Sequence, residues 1–268
     1  MLLLIDAGNT RVKWALASAG AQTGAWLADG AVSHADLARL PADWAAALAA
    51  APISPLSGAL ISNVAGPAMG ATLSSLLDAC GLAPQAIRWF ASLPQLAGVR
   101  NGYRYPAQLG CDRFAAAIGA RALVPGRALI VATCGTATTI DAIDADGLFI
   151  GGMIVPGLRL MAAALARNTA QLPQVLDGAP PPAAACATST PFADNTDDAI
   201  RSGCLAAQAG AIERACALHG AALCLVSGGA GAAVAAALAP TVAYRVVDNI
   251  VLAGLHRAAL ADSGNEPC

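Results

Sequence analysis

Residues 2–16 read LLLIDAGNTRVKWAL. Leu2 to Ile5 form an unbroken apolar run that ends in Asp6-Ala7-Gly8-Asn9-Thr10, after which Val12, Trp14 and Leu16 alternate with Arg11, Lys13 and Ala15. This is the pattern of a buried strand, a tight polar turn and a second strand. It returns from Ala128, where an apolar run enters Thr133-Cys134-Gly135-Thr136-Ala137, and Thr138, Ile140 and Ala142 then alternate with Thr139 and Asp141. Aligned on their turns, Gly8 matches Gly135 and Asn9 matches Thr136. Two apolar strands can look alike by chance, but the shared glycine-polar turn favours a duplicated architecture.

The spacing between the copies predicts a helix over Trp44–Ala50, a strand over Ala59–Ser62 and a helix over Ala68–Cys80. A strand over Ala86–Phe90 follows, then a Gly/Pro/Tyr loop over Gly98–Pro106 and a helix over Arg113–Leu123. Asp177–Asn195 holds three consecutive prolines, which suit neither a helix interior nor a central strand, so it reads as a surface loop. Thr196 is the expected N-cap of the next helix, with Asp197 and Asp198 in its first turn, where the dipole favours negative charge. That helix runs to about Leu218. A strand over Ala222–Val226, a glycine loop, an alanine helix, a strand over Ala243–Val247 and a terminal helix complete the pattern. The expected domains are 1–115 and 116–268, with the last helix able to cross back.

Composition narrows the class. The hydrophobic fraction of 57% rests on alanine runs such as Ala45–Ala51 and Ala232–Ala239, which suit helices layered on sheets. No apolar run reaches about 18 residues, and Met1–Ile5 lacks the basic region and length of a signal peptide, so the reading is a cytoplasmic protein with no membrane contact. A net charge of -2 with scattered arginines argues against nucleic acid as a partner. Eight cysteines occur without a C-x-x-C pair and with only three histidines, which fits reduced thiols better than zinc or disulfides.

Four places could carry chemistry. At the end of a buried strand Asp6 can hold Mg²⁺, which keeps most of its waters and asks for one or two carboxylates. Gly8 permits close backbone approach to an anion, Asn9 and Thr10 can donate to phosphate oxygens, and Lys13 adds a positive charge. A hairpin with a polar turn and an exposed lysine would read the same way. Gly135-Thr136-Ala137-Thr138-Thr139 offers a second turn with hydroxyl and backbone donors, and facing turns could clamp a triphosphate; a threonine-rich strand satisfying its own sheet is the alternative. Within Ser227-Gly228-Gly229-Ala230-Gly231, Gly229-x-Gly231 followed by a strand ending in Asp248 imitates a dinucleotide fingerprint, but Val234 stands at the sixth position counted from Gly229, so a loop packing on adenine and ribose is preferred. Last, Asp112 follows Gly110-Cys111 at a helix start, where the dipole favours the ionised form; it could accept a substrate proton while Arg113 pairs with a substrate anion. Acidic residues also open helices simply as caps.

Together these motifs resemble the type III pantothenate kinases of the acetate and sugar kinase/Hsp70/actin superfamily. The resemblance spans nearly the whole chain: D-x-G-N-T-x-x-K at Asp6–Lys13, G-x-D-R at Gly110–Arg113, G-T-A-T-T at Gly135–Thr139, the glycine-flanked stretch Gly151–Gly157, Asn195–Gly203 and Ser227–Ala230. It implies an α/β fold of two similar actin-like (ribonuclease H-like) domains, mixed sheets flanked by helices, with nucleotide in the cleft. It further implies transfer of the ATP γ-phosphoryl group to the primary hydroxyl of pantothenate, the first step of coenzyme A biosynthesis. By this likeness Asp6, Ala7, Gly8, Asn9, Thr10, Arg11, Val12 and Lys13 handle phosphates, with Asp6 on Mg²⁺, and Thr136 contacts ATP. Asp112 accepts the proton, and Tyr103, Gly110, Cys111, Asp112, Arg113 and Thr196 hold pantothenate. A homodimer is implied, giving the apolar helix after Arg113 a partner.

One position departs from the family, which commonly carries an Asp two residues before the second glycine to bind a monovalent cation. Here it is Thr133, which puts potassium or ammonium dependence in doubt. Two other readings share the fold: a non-catalytic transcriptional accessory protein, and a kinase for acetate or a sugar. The joint presence of both turns, Lys13 and Asp112 speaks against a decayed site, and the resemblance at Tyr103, Gly110–Arg113 and Asn195-Thr196 speaks for pantothenate.

Overall fold

The computed structural model describes residues 1–18, 20–51, 55–176 and 192–263. Most of the expected loop, residues 177–191, lies outside them, as do Cys186 and Cys268. The strands are β1 (Leu2–Ala7), β2 (Arg11–Ala17), β3 (Ala28–Ser33), β4 (Gly58–Asn63), β5 (Ile87–Trp89), β6 (Gln95–Leu96), β7 (Val99–Asn101), β8 (Leu129–Cys134), β9 (Ala137–Ile143), β10 (Leu148–Pro156), β11 (Leu223–Ser227) and β12 (Tyr244–Val246). The helices described are α1 (Leu40–Ala50), α2 (Pro67–Ala79), α3 (Cys111–Leu123), α4 (Leu158–Asn168), α5 (Thr196–His219), α6 (Gly231–Ala236) and α7 (Ile250–Ser263). None is long and apolar enough to cross a membrane.

Two compact units emerge. The first holds Met1–Pro125 and, from Asn249 onward, the C-terminal helix; the second is Gly126–Asp248. A division after residue 115 would cut α3, whose residues Arg113–Ala120 are all buried. They are covered within the unit itself, because α3 packs along α7. A Cβ on Gly119 would meet the Ile250 carbonyl, and one on Gly254 the Ala115 carbonyl, so the two helices touch backbone to backbone. The apolar helix after Arg113 therefore has its partner inside the chain, which removes the reason for assigning that face to a second subunit.

In the first unit the sheet order is β3-β2-β1-β4-β5. β1–β2 and β2–β3 are antiparallel, while β1–β4 and β4–β5 are parallel. A central strand covered on both faces needs apolar residues throughout, and Leu3, Leu4 and Ile5 are buried in succession. β3 escapes the sequence pattern because Asp29-Gly30 imitates a turn. Gly30 is there because the Trp14 indole lies across it: an added Cβ would come within 2.9 Å of the ring. The β6–β7 hairpin turns through Ala97 (φ 50°) and Gly98 (φ 84°), the left-handed pair that tight hairpins use.

The second unit repeats the plan. Its strands run β12-β11-β8-β9-β10, with β8–β9 and β9–β10 antiparallel and β8–β11 and β11–β12 parallel. Order and strand sense match the first sheet, as the repeated strand-turn-strand pattern implied. α5 starts at Thr196, but its N-cap is Asn195, whose side chain accepts from the Asp198 N–H at 2.9 Å. Thr196 is one residue too late to cap, since the cap must have extended backbone while its side chain reaches forward. Gly220 (φ 63°) ends the helix in the left-handed conformation.

Candidate active site

Pairing of β1 with β2 sets Asp6 opposite Lys13 and Ala7 opposite Val12, leaving Gly8-Asn9-Thr10 at the turn. The Gly8 N–H donates to the Arg11 carbonyl at 3.1 Å and closes it. Asn9, Thr10 and Arg11 are exposed, so this is a presented loop rather than a packed one. Burial pushes the Asp6 carboxyl up to about 7; Lys13 across the strand pulls it down and the nearby Asp112 carboxylate pushes it further up. Proton release by Asp6 thus falls close to neutrality, where a bound cation would displace the proton.

α3 is fastened to the same end of the sheet. The Cys111 thiol lies 3.4 Å from Ser62 Oγ and 3.7 Å from the Asn63 carbonyl, at the end of β4. Asp6 pairs with Ser62 on that strand, so the contact brings the helix start to the neighbourhood of Asp6. Phe114 is fully buried and stacks on Phe90 at 6.1 Å, an anchor of about 1.5–3 kcal/mol for the first turn of the helix.

Asp112 Oδ1 accepts the Arg113 N–H at 2.8 Å, so the carboxylate does serve the helix terminus. Burial raises its affinity for a proton, opposed by that N–H and by the Arg113 guanidinium. The same arrangement explains Gly110: a Cβ there would stand 2.7 Å from Asp112 Oδ1. Arg113 is 7% exposed, donates to the Tyr103 hydroxyl at 2.8 Å and lies 5.7 Å from that ring's centre. Asn101 shapes the approach to Tyr103, accepting the Tyr103 N–H at 3.1 Å and donating to the Pro106 carbonyl at 3.0 Å. Asp6–Lys13, Tyr103 and Gly110–Arg113 all belong to the first unit. Asn101, Ser62 and Asn63 were not read from sequence; the Asn101-Gly102 pair was the available signal for the first.

In the second unit Thr133 faces Thr139 across β8–β9 and Ser227 across β8–β11. The Gly135 N–H donates to the Ala137 carbonyl at 3.0 Å, closing a turn on which Thr136 is exposed. Two glycines clasp that turn. A Cβ on Gly157 would strike the Gly135 and Thr136 carbonyls, and one on Gly228 (φ 92°) the Cys134 backbone. Gly228 in the Ser227–Gly231 loop is therefore required by the chain itself. Thr138 is not presented to a ligand: it is fully buried and donates to Gln208 Oε1 at 3.0 Å, and Gln208 in turn donates to the Pro156 carbonyl at 2.9 Å. Nothing local in the sequence pairs Thr138 with Gln208.

No group of three or more His, Cys, Asp or Glu side chains suited to a metal forms among the described residues. The donor set at Asp6 still fits Mg²⁺, a hard ion that takes one or two carboxylates and completes its shell with water and phosphate oxygens.

The solved structures similar to this chain share its fold. They include a Sinorhizobium meliloti protein assigned as a 2-dehydro-3-deoxygalactonokinase, at 18% identity over the full length of both chains and a TM-score of 0.58. The activator of the 2-hydroxyisocaproyl-CoA dehydratase from Clostridium difficile, solved with ADPNP, matches at 13% identity over 98% of this chain and 94% of its own, with a TM-score of 0.55. Among curated relatives, the type III pantothenate kinase of Herminiimonas arsenicoxydans is 53% identical over 97% of this chain and 98% of its own. Residues 2–218 match the family model described as type III pantothenate kinase, and the chain belongs to that family.

Proposed function

We propose that the chain transfers the γ-phosphoryl group of ATP to the primary hydroxyl of pantothenate, giving 4'-phosphopantothenate and ADP for coenzyme A synthesis. The observation that carries this reading is the docking of the α3 N-terminus on the end of β4, which sets Asp112 near Asp6 with the Arg113–Tyr103 pair beside it. Asp112 takes the proton of the attacking hydroxyl, and Arg113, already aligned by Tyr103, meets the pantothenate carboxylate. Tyr103, Gly110 and Cys111 complete the acceptor pocket in the first unit, and the resemblance also assigns Thr196 to pantothenate. Residues Asp6–Lys13 and Thr136 handle ATP. Mg²⁺ held by Asp6 would neutralise charge on the phosphate oxygens. Backbone donors, Asn9 and Lys13 supply the remaining stabilisation as charge moves toward the leaving oxygen.

The reading extends to a cytoplasmic homodimer. With α3 covered by α7, exposed apolar residues of the second unit such as Ile150, Ile154 and Leu160 are the candidates for that contact. Thr133 carries no charge, so activity is taken to be independent of potassium or ammonium. A coupled ADP-release assay with ATP and Mg²⁺ against pantothenate, acetate and hexoses tests the assignment. Release with pantothenate alone supports it, and release with acetate or a hexose alone transfers the chain to another kinase activity.

A further inference from the structure

His34 follows β3 directly and opens a short 3₁₀ turn, His34–Arg39, that Ser33 helps to set by donating from its hydroxyl to Asp36 at 2.6 Å. Ser33 pairs with Arg11 across β2–β3, so the next residue emerges beside the β1–β2 turn. There His34 Nε2 lies 2.9 Å from the Gly8 carbonyl oxygen. A carbonyl only accepts, so Nε2 carries the proton and donates.

The peptide joining Gly8 to Asn9 is planar, and no cis peptide occurs in the described chain. In a trans peptide the carbonyl and the following N–H point in opposite directions. Holding the Gly8 oxygen toward His34 therefore aims the Asn9 N–H away from His34, on a turn where Asn9 and Thr10 are exposed. The Gly8 N–H is already committed to Arg11, so both polar groups of Gly8 are fixed by the protein.

We infer that His34 is a positioning residue which locks the Gly8–Asn9 peptide so that the Asn9 N–H is presented to an ATP phosphate oxygen. The inference rests on the phosphate-binding role of the Asp6–Lys13 turn. Without the imidazole, the peptide is free to rotate and present its carbonyl, which repels an anion. His34 itself touches no substrate.

Steady-state titrations of MgATP and of pantothenate on wild type, His34→Ala and His34→Gln test this, with direct calorimetric binding of MgATP and thermal melts on each. Gln places an N–H the same number of bonds from Cα as Nε2, so it can restore the contact. The Ala variant should raise the KM and Kd for MgATP about tenfold, consistent with loss of one oriented hydrogen bond and its peptide. The pantothenate KM should stay within about twofold, and Gln should recover most of the loss. If His34 only supports the β3 corner, the melt and the active fraction fall while both KM values and the Kd hold, and the inference is overturned. An Ala variant with wild-type affinity for MgATP overturns it as well. Wild type that binds no MgATP would instead overturn the role assigned to the turn, and this inference with it.

Discussion

The β1–β2 turn and the β8–β9 turn close equivalent hairpins in sheets of the same order, yet they are finished differently. In the first, a carboxylate and an ammonium face each other, Asp6 against Lys13; at the corresponding register of the second stand two hydroxyls, Thr133 against Thr139. The first is closed from Gly8 to Arg11 and steadied by a side chain, His34; the second is one residue tighter, from Gly135 to Ala137, and steadied by the close backbone approach of Gly157 and Gly228. A duplicated frame supplies two exposed polar turns, and charge has been placed on only one. On the function proposed above, metal handling and proton transfer gather where Asp6 and Asp112 sense each other, and the second turn is left to neutral hydrogen bonding.

The largest break in that comparison should come from Asp112→Asn, which keeps the shape of the side chain and removes the proton acceptor. Turnover should fall by about 10²–10⁴ with MgATP affinity retained, read by steady-state rates and calorimetry. Near-native turnover would take Asp112 out of the chemistry.

Next in size is Gly254→Ala, which puts a methyl group into the Ala115 carbonyl and pries α7 from α3. A loss of about 1–3 kcal/mol is expected in denaturant melts, together with a higher pantothenate KM, since Arg113 rides on α3. Gly203→Ala, a helix glycine with open space around it, should be neutral or slightly stabilising and serves as the control.

Asp6→Asn should cut both ways. The folded carboxyl holds its proton up to about 7, above the ordinary carboxylate value of 3.8, so the folded state binds that proton more tightly than the unfolded chain does. Stability from this group is therefore fully present below the ordinary value and lost as pH rises toward 7. The Asn variant, free of that loss, should melt about 2–4 °C above unliganded wild type at pH 8, for a gain of about 1 kcal/mol. The gain should vanish near pH 4, and the KM for MgATP should rise. A variant less stable than wild type at pH 8 would show that Lys13 outweighs burial.

The smallest effect concerns the second turn. Replacing potassium by sodium or a bulky organic cation at fixed ionic strength should change wild-type activity little, and Thr133→Asp should create a potassium dependence. Wild type that is inactive without potassium would contradict the neutral reading of Thr133.

The two hairpins were legible because their information is local: an apolar run, a glycine and polar neighbours within a few residues predict both turns, and Gly110–Arg113 announces a helix start with its acidic residue. What stayed hidden depends on residues far apart in sequence. Gly30 looks like a turn until Trp14 is laid across it, and Thr138 looks like a ligand donor until Gln208, 70 residues on, accepts its hydrogen bond. The α3 face looked unpartnered because its cover, α7, comes from the other end of the described chain. Asn195 and Thr196 are both good caps by type, and only backbone geometry separates them.

The most direct measurement of the central claim is phosphorus NMR of the wild-type protein incubated with MgATP and pantothenate. The account predicts a new phosphomonoester resonance coupled to a methylene group, growing at the rate at which the γ-phosphorus signal of ATP disappears, and no ATP loss when acetate or glucose replaces pantothenate. ATP consumed only with acetate or a hexose, or converted to inorganic phosphate whether or not pantothenate is present, would contradict it.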